Sequence, residues 1–201
     1  MGRLVDAASR LLEKRNWADV SVAELVREAR SSVGSFYHLF GDKDSLLDYL
    51  DERYTREMLS FIDGFSRRHL GRIRSLEEAV GVLLRELAAF HRARRGTIRA
   101  LVLRARRRRE TAFDERTRRM NAALPALLEF VSAHGREIRH PRPQRACFLA
   151  FSFTFSALRE RILFPETIQD PAPAGDEELV RELTRSMLAY LCWSPSEGQD
   201  S

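Results

Sequence analysis

The amino-acid sequence predicts an all-α fold in which three short helices precede a body of longer helices. Three observations predict it: apolar residues recur at helical spacing along most of the chain, Ser-x-x-Glu motifs mark helix starts, and glycine- or proline-rich stretches mark the breaks. Only Phe151, Phe153 and Phe155 alternate as in a strand. They lie in a run of about 20 residues without a proline, which is too long for a typical strand. We therefore interpret the run as a helix that is buried on two sides.

Each of the first three helices has one apolar stripe at the i, i+3, i+4, i+7 spacing. Ser21 and Glu24 predict a capping box at the start of the second helix, and Ser75 and Glu78 repeat the motif later. The fourth helix is predicted to begin at Asp42 and to continue to about residue 65. The three stripes consist of Leu4, Val5, Ala8, Leu11 and Leu12; of Val22, Leu25, Val26 and Ala29; and of Val33, Phe36, Tyr37 and Phe40.

Longer helices are predicted in the rest of the chain. The predicted breaks fall at Gly96 and at the stretches 135–143 and 165–175, which contain glycine or proline. Pro125 lies inside one predicted helix and is expected to kink it, because proline removes a backbone donor. The predicted ranges are 76–94, 97–109, 112–134, 143–164 and 176–192.

The composition restricts the class of protein. The chain has 201 residues, of which 44% are hydrophobic and 31% are charged, so it can bury a core. No apolar run approaches the ~20 residues of a membrane span, and the charged N-terminus lacks a secretory apolar core. We therefore expect a soluble, cytoplasmic protein without a membrane partner. The net charge of +5 permits nucleic-acid binding without proving it.

The sequence contains no pattern of catalytic or metal-binding residues. The five histidines are scattered, and the pair His134 and His140 has no third ligand nearby. No glycine-rich phosphate loop follows a strand. Cys147 and Cys192 lie in apolar helical patterns, so we expect buried, reduced thiols rather than a disulfide framework or a redox switch. The expectation is a protein that is not an enzyme and has no cofactor or metal.

The third helix is predicted to present an outward face without acidic residues. On a helical wheel, Val33 and Tyr37 fall with the phenylalanines toward the other two helices, while Gly34, Ser35 and His38 fall on the opposite side. Lys43 lies in the first turn of the fourth helix, where the helix dipole disfavours a cation unless an anion is near. This arrangement is typical of a helix-turn-helix whose last helix enters the DNA major groove between flanking phosphates.

At these residues the chain resembles the TetR family of transcriptional regulators. The family pattern Ala-Gly-Val-Ser-x-Gly-x-x-Tyr-x-His-Phe-x-x-Lys corresponds to the run from Ala29 to Lys43, and Asn16-Trp17 and Ser21-Val22 match upstream. The resemblance covers about the first quarter of the chain. Two departures from the pattern matter: Arg30 replaces the turn glycine, and Leu39 replaces a histidine. The resemblance implies a helix-turn-helix DNA-binding domain at 1–46 and a helical effector-binding and dimerisation domain at 47–201.

The resemblance also implies roles for residues of the predicted DNA-binding domain at 1–46, which we call the head. It implies phosphate contacts from Ser21, Tyr37 and Lys43, and base-facing positions at Val33, Ser35 and His38. Each has an alternative: Ser21 caps a helix, Tyr37 is a core aromatic, and His38 is an ordinary surface histidine. For Ser21 we expect both roles, because its backbone amide is separate from its side chain. The implied DNA-binding set is Ser21, Ser32, Val33, Gly34, Ser35, Tyr37, His38 and Lys43.

For the body, the resemblance implies an unknown small-molecule effector and a homodimer. We expect the dimer to form through the helices at 143–164 and 176–192, since the first has more apolar surface than one chain covers; the alternative is an intramolecular core. A few residues of the body are candidates for contacting the effector, but for each of them a place in the packed core is favoured over ligand contact. We expect His91, one of these candidates, to be half-exposed. The candidate ligand-binding residues are Phe90, His91, Leu127, Phe130, Phe151 and Phe155.

Taken together, these expectations describe a dimeric regulator that binds a palindromic double-stranded operator and is a repressor released by its effector. The alternative is an architectural or recruitment protein whose body binds a protein partner. The arginine run 104–109 is expected to be a solvated helix face, with steering of DNA association as a second hypothesis.

Overall fold

The computed structural model describes residues 1–69, 71–108, 115–167 and 175–194, and in these ranges it contains nine α-helices and no strand. The predicted all-α fold is therefore confirmed. Three short 3₁₀ turns lie at Trp17–Asp19, Gly135–Glu137 and Pro165–Thr167. The helices are α1 Gly2–Leu12, α2 Val22–Glu28, α3 Val33–Phe40, α4 Lys43–His69, α5 Leu76–Arg92, α6 Arg95–Arg108, α7 Glu115–Ser132, α8 Pro143–Leu163 and α9 Asp176–Leu191.

Most predicted helix bounds agree with these ranges within a few residues. The fourth helix continues to His69, beyond the predicted end near residue 65. Pro125 lies inside α7, which continues on both sides of it. The predicted break near Gly96 is confirmed but lies slightly earlier, at residues 93–94, and Gly96 itself belongs to the first turn of α6.

The chain forms two compact units, one of residues 1–60 with 91–120 and the other of residues 61–90 with 121–201. The core of the first unit combines α1, α2, α3 and the start of α4 with Ala100 and Leu101 of α6. Leu25, Phe36 and Leu46 are fully buried in it. The domain boundary after residue 46 stays a prediction.

Gly96 is a glycine because α6 approaches the end of α1 backbone to backbone. A Cβ atom at this position would lie 2.2 Å from the Leu12 carbonyl oxygen and 2.5 Å from the Glu13 nitrogen. The Gly96 amide donates a hydrogen bond to the Glu13 carboxylate at 2.9 Å. The glycine is therefore required by a close approach between two helices, while the break between α5 and α6 lies just before it, at residues 93–94.

The arginine run is exposed at residues 106–108, as expected of a solvated face, but its first arginine, Arg104, forms a buried ion pair. Arg104 donates to Asp48 at 2.5 Å and to Asp51 at 2.6 Å, and the side chains of Arg104 and Asp51 are each 10% exposed. Arg108, which is more exposed, lies 3.4 Å from an Asp44 oxygen. Arg109 lies outside the described residues. The first arginine of the run thus ties α6 to α4 inside the first unit.

In the second unit, α8 and α9 pack against each other. Aromatic rings fill much of the interior: Phe65 and Phe130 meet edge to face at 4.8 Å between ring centres. His69 lies 2.6 Å from a Glu86 carboxylate oxygen. Among the described helices, none is long and apolar enough to span a membrane.

The two cysteines have different surroundings. Cys147 is buried in α8, and this burial raises the pKa of its thiol. Cys192, which follows α9, is exposed, and its Sγ lies 3.6 Å from the Glu137 carbonyl oxygen. The expectation of a buried thiol at Cys192 is therefore wrong, because the apolar pattern of α9 ends one residue earlier, at Leu191.

Candidate nucleic-acid interface

The start of α2 is fixed by the predicted capping box. The Ser21 hydroxyl accepts a hydrogen bond from the Glu24 amide at 3.2 Å. Both donors of Ser21 are directed to the Glu24 carboxylate, the backbone amide at 2.9 Å and the hydroxyl at 2.8 Å. Hydrogen bonds from the Ser21 amide, from its hydroxyl and from Arg15 lower the pKa of Glu24 to about 2. A phosphate contact by Ser21 therefore requires one of these donors to leave Glu24, contrary to the expectation that the amide and the side chain act separately.

The turn between α2 and α3 keeps one residue in the left-handed backbone conformation, although the glycine of the family pattern is absent. Arg30 has a φ of 48°. The Arg30 amide donates to the Arg27 carbonyl at 3.1 Å, and the Ser31 amide donates to the Val26 carbonyl at 2.8 Å. These two hydrogen bonds form a Schellman motif, which normally has glycine at the position of Arg30. The geometry of the turn is thus retained at the cost of a strained residue.

Replacing Arg30 with glycine is expected to stabilise the protein by about 1 kcal/mol, because it removes the steric penalty of a left-handed side chain. Thermal or urea unfolding of the variant measures this. Arg30→Ala serves as the control, since alanine keeps the Cβ atom and should bring little gain. A lower stability for the glycine variant than for the alanine variant would contradict the explanation.

The face of α3 that points to solvent is broader than the helical wheel predicted. Phe36 and Phe40 are buried, while Val33 is 48% and Tyr37 is 52% exposed. The predicted placement of Val33 and Tyr37 toward the other helices is therefore wrong. In a helix of eight residues, the two phenylalanines are enough to fill the contact with the core. Tyr37 merely contacts the Phe36 ring, with the two rings nearly perpendicular and 5.3 Å between their centres.

The polar residues of α3 lie on its exposed face at the start of the helix. Ser32 caps α3, and its hydroxyl accepts from the Ser35 amide at 3.1 Å. The Ser32 and Ser35 hydroxyl oxygens lie 2.9 Å apart. Gly34 and His38 are exposed as well. Residues 31–41 contain no acidic residue, so the outward face of α3 can approach a polyanion without charge repulsion.

Lys43 contacts backbone carbonyl groups of its own chain. Its Nζ donates to the Trp17 carbonyl at 2.8 Å and to the Val20 carbonyl at 2.6 Å. The ammonium group also lies 4.8 Å from the centre of the Trp17 ring. Partial burial lowers the pKa of Lys43, while the nearby carboxylates oppose this shift. Two carbonyl dipoles therefore compensate a cation at the start of α4, where the sequence analysis expected an anion.

The role of Trp17 could not be predicted from the sequence beyond its place in the family pattern. Its functional atoms are a backbone carbonyl and a ring face, and neither is specified by residue type alone. Only the folded arrangement brings the 3₁₀ turn Trp17–Asp19 against Lys43, 26 residues further along the chain. Leu39, at the other departure from the family pattern, is 40% exposed.

The candidate ligand-binding residues are mostly packed core. Four of them are buried in the second unit: Phe90, Leu127, Phe130 and Phe151. The ring of Phe151 stacks on that of Phe155 with 5.6 Å between the ring centres. His91 belongs to the first unit and is fully buried, so the expected half exposure is wrong. A groove of about 950 Å³ in the second unit is lined by other residues, on α5 and α9. Whether any candidate contacts a ligand stays a prediction.

Comparison with known proteins identifies the N-terminal region. The matching family is described as bacterial regulatory proteins, tetR family, and the match covers residues 4–50. No curated protein sequence matches the chain.

Several solved structures share the fold. A protein of Mesorhizobium loti assigned to the TetR family of transcriptional regulators has a TM-score of 0.65 and 16% identity, with 94% of this chain and 93% of that chain covered. The TetR-family regulator PfmR of Thermus thermophilus has a TM-score of 0.62 and 16% identity, with 92% and 97% covered. The regulator FadR of Bacillus subtilis, in complex with stearoyl-CoA, has a TM-score of 0.57 and 14% identity, with 94% and 96% covered.

At such identities the structures establish the fold, and the family match identifies the head. The two findings agree with the resemblance that the sequence analysis drew from residues 16–43. The resemblance is confirmed: this chain has a TetR-like fold, and its residues 4–50 match the N-terminal model of the tetR family of bacterial regulatory proteins.

Proposed function

We propose that the protein is a dimeric, sequence-specific DNA-binding regulator of transcription. The observation that carries the proposal is the outward face of α3, where Val33, Ser35, Tyr37 and His38 are exposed beside Gly34 with no acidic residue among them. Hydroxyl and imidazole groups can donate to or accept from base edges, and Val33 offers an apolar contact to a thymine methyl group. A glycine at this place lets the backbone approach the groove closely.

The proposed phosphate contacts flank this face. Tyr37 is exposed at its side chain, and Ser21 and Ser32 lie at the exposed starts of α2 and α3. Helix starts carry partial positive charge and free amides, which favour an anion. Lys43 remains a proposed phosphate contact, although in the free protein its ammonium group holds the turn before α2.

A homodimer through α8 and α9 is part of the proposal. Phe148 and Phe153 of α8 are 50% and 67% exposed, which is unusual for large apolar side chains in the middle of a helix. Pairing α8 and α9 with their symmetry mates would bury these rings in a four-helix bundle. Two heads about 34 Å apart would then read the two halves of a palindromic operator.

Release from DNA by a small-molecule effector is the further part of the proposal. The similar FadR structure contains stearoyl-CoA, and the phenylalanines of the second unit offer an apolar interior that a ligand can enter by rearranging rings. The ligand would favour a state in which the heads no longer fit the half-site spacing. Such coupling is typically ~1–3 kcal/mol. Recruitment of a protein partner to the exposed phenylalanines of α8 is the alternative, and a monomer in sedimentation would favour it.

The test of DNA binding starts from an operator selected out of a random duplex library by the purified protein. Ser35→Ala and His38→Ala are each expected to weaken binding to that operator by about 1–3 kcal/mol and to relax specificity. Arg56→Ala is the matched control, because Arg56 is exposed on α4 away from α3, and it should bind as the wild type does. Failure to enrich any duplex, or equal losses in all three variants, would refute the proposal.

Replacing Lys43 with alanine is expected to weaken binding to all duplex sequences and to reduce the slope of log affinity against log salt by about 1. Because the variant also loses both carbonyl contacts, a lower melting temperature should accompany the loss. Anisotropy titrations at several salt concentrations measure the slope. A lower melting temperature with an unchanged slope would mean that Lys43 holds the turn without touching phosphate.

A further inference from the structure

A cleft in the first unit lies beside the 3₁₀ turn that Lys43 holds. It has a volume of about 430 Å³, which falls within the usual range of small-molecule sites. Leu12, Leu47, Ala100 and Leu103 form its apolar wall, and they come from α1, α4 and α6. The cleft therefore combines an apolar surface with the polar groups of the adjacent turn and of α6.

Two polar groups of this cleft have no partner in the part of the chain that the structure describes. The indole Nε1 of Trp17 is buried and donates to no acceptor. Arg107 is exposed at the rim and forms no ion pair there. Buried donors nearly always have a hydrogen-bond acceptor in folded proteins. A buried indole N–H that lacks one beside a cleft therefore indicates that a ligand can supply the acceptor.

The charges of the cleft favour an anion. Five arginines and two aspartates line it. Three of the arginines are already paired with carboxylates of the same unit: Arg15 with Glu24, Arg104 with Asp48 and Asp51, and Arg108 with Asp44. Arg107 is left with a guanidinium group that can bind a carboxylate with two parallel hydrogen bonds.

We propose that this cleft binds an amphipathic organic anion, with its apolar part on Leu12, Leu47 and Leu103 and its carboxylate on Arg107. A small displacement of the Trp17 turn would let the indole N–H donate to the same ligand, because the atom is covered in the free protein. This site is formed by the first unit alone and is distinct from the phenylalanine-rich interior of the second unit. The proposal concerns binding and does not depend on whether the chain regulates transcription.

The test uses the indole N–H of Trp17 as its reporter. The chain has two tryptophans, so ¹⁵N-labelled protein with Trp193→Phe shows a single indole signal. Titration with 1-naphthoate is expected to shift this signal in a saturable manner. The neutral analogue 1-naphthalenemethanol has the same rings and should bind about tenfold more weakly, because it cannot form the charge-assisted hydrogen bonds.

Variants at the rim and wall complete the test. Arg107→Glu is expected to weaken 1-naphthoate binding about tenfold or more, while Arg56→Glu, a charge reversal on an exposed position of α4 outside the cleft, should leave it unchanged. Leu103→Gln should weaken both compounds. Arg107 and Leu103 are exposed, so these variants should keep their melting temperatures. The absence of a saturable shift, equal affinity for both compounds, or equal affinity in Arg107→Glu and Arg56→Glu would overturn the proposal.

Discussion

Replacing Gly96 with alanine is expected to destabilise the first unit by about 3 kcal/mol or more, at the upper end of the effects of overpacking. The new Cβ atom would lie 2.2 Å from the Leu12 carbonyl oxygen. The obstacle is backbone, so no rotation of a side chain can remove the clash. Either α1 and α6 separate, which exposes the buried Ile98 and Leu101, or the end of α1 unwinds. Urea unfolding measures the loss.

Gly81→Ala is the matched control for this prediction. Gly81 lies inside α5, and a Cβ atom there would be 4.0 Å from the Thr184 side chain, an ordinary van der Waals distance. Since alanine is the better helix former by roughly 1 kcal/mol, the variant should be as stable as the wild type or more so. Equal losses at Gly96 and Gly81 would show that the effect does not come from the contact with α1.

Replacing Arg104 with methionine is expected to cost about 3–5 kcal/mol, because it removes the cation that lies 2.6 Å from the buried carboxylate of Asp51. Asp51 is 7% exposed as a residue, so water does not readily take the place of the guanidinium. Asp48, the second partner, has a side chain that is 57% exposed and can be solvated. Thermal unfolding measures the loss of stability.

Two further variants make this prediction specific. Arg108→Met removes a half-exposed arginine from the same helix and should cost less than about 1 kcal/mol, as exposed ion pairs do. Combining Arg104→Met with Asp51→Leu should recover most of the loss, because neither charge of the pair is then buried. A double variant as unstable as Arg104→Met would show that packing of the arginine side chain, and not the charge pair, stabilises the contact.

Features that depend on neighbours in the sequence could be predicted. The Ser21–Glu24 capping box, the start of the long fourth helix and the burial of Phe36 and Phe40 all follow from spacings of three or four residues, and the structure agrees. Chain-wide helical periodicity was likewise enough to predict the fold class. For these features the contacts that decide the structure lie within one or two helical turns.

Features decided by distant partners were missed. Gly96 meets Leu12, Lys43 meets Trp17, and Arg104 meets Asp51, each across 26 to 84 positions of the chain. A single sequence specifies the types of these residues but not which ones meet. The wrong placement of Val33 and Tyr37 has another cause. A helical wheel assigns every apolar residue of a helix to the core side, without regard to how many side chains the core can hold.

The backbone contact between Gly96 and the end of α1 leaves no side chain between the two helices to take up small movements. Where side chains separate two helices, one helix can slide slightly past the other. At Gly96 the peptide groups themselves touch, so a sliding of α6 along its axis must either be blocked or carry the last turn of α1 with it. The end of α1 and the start of α6 are therefore expected to move together as one rigid body, because residue 96 has no Cβ atom.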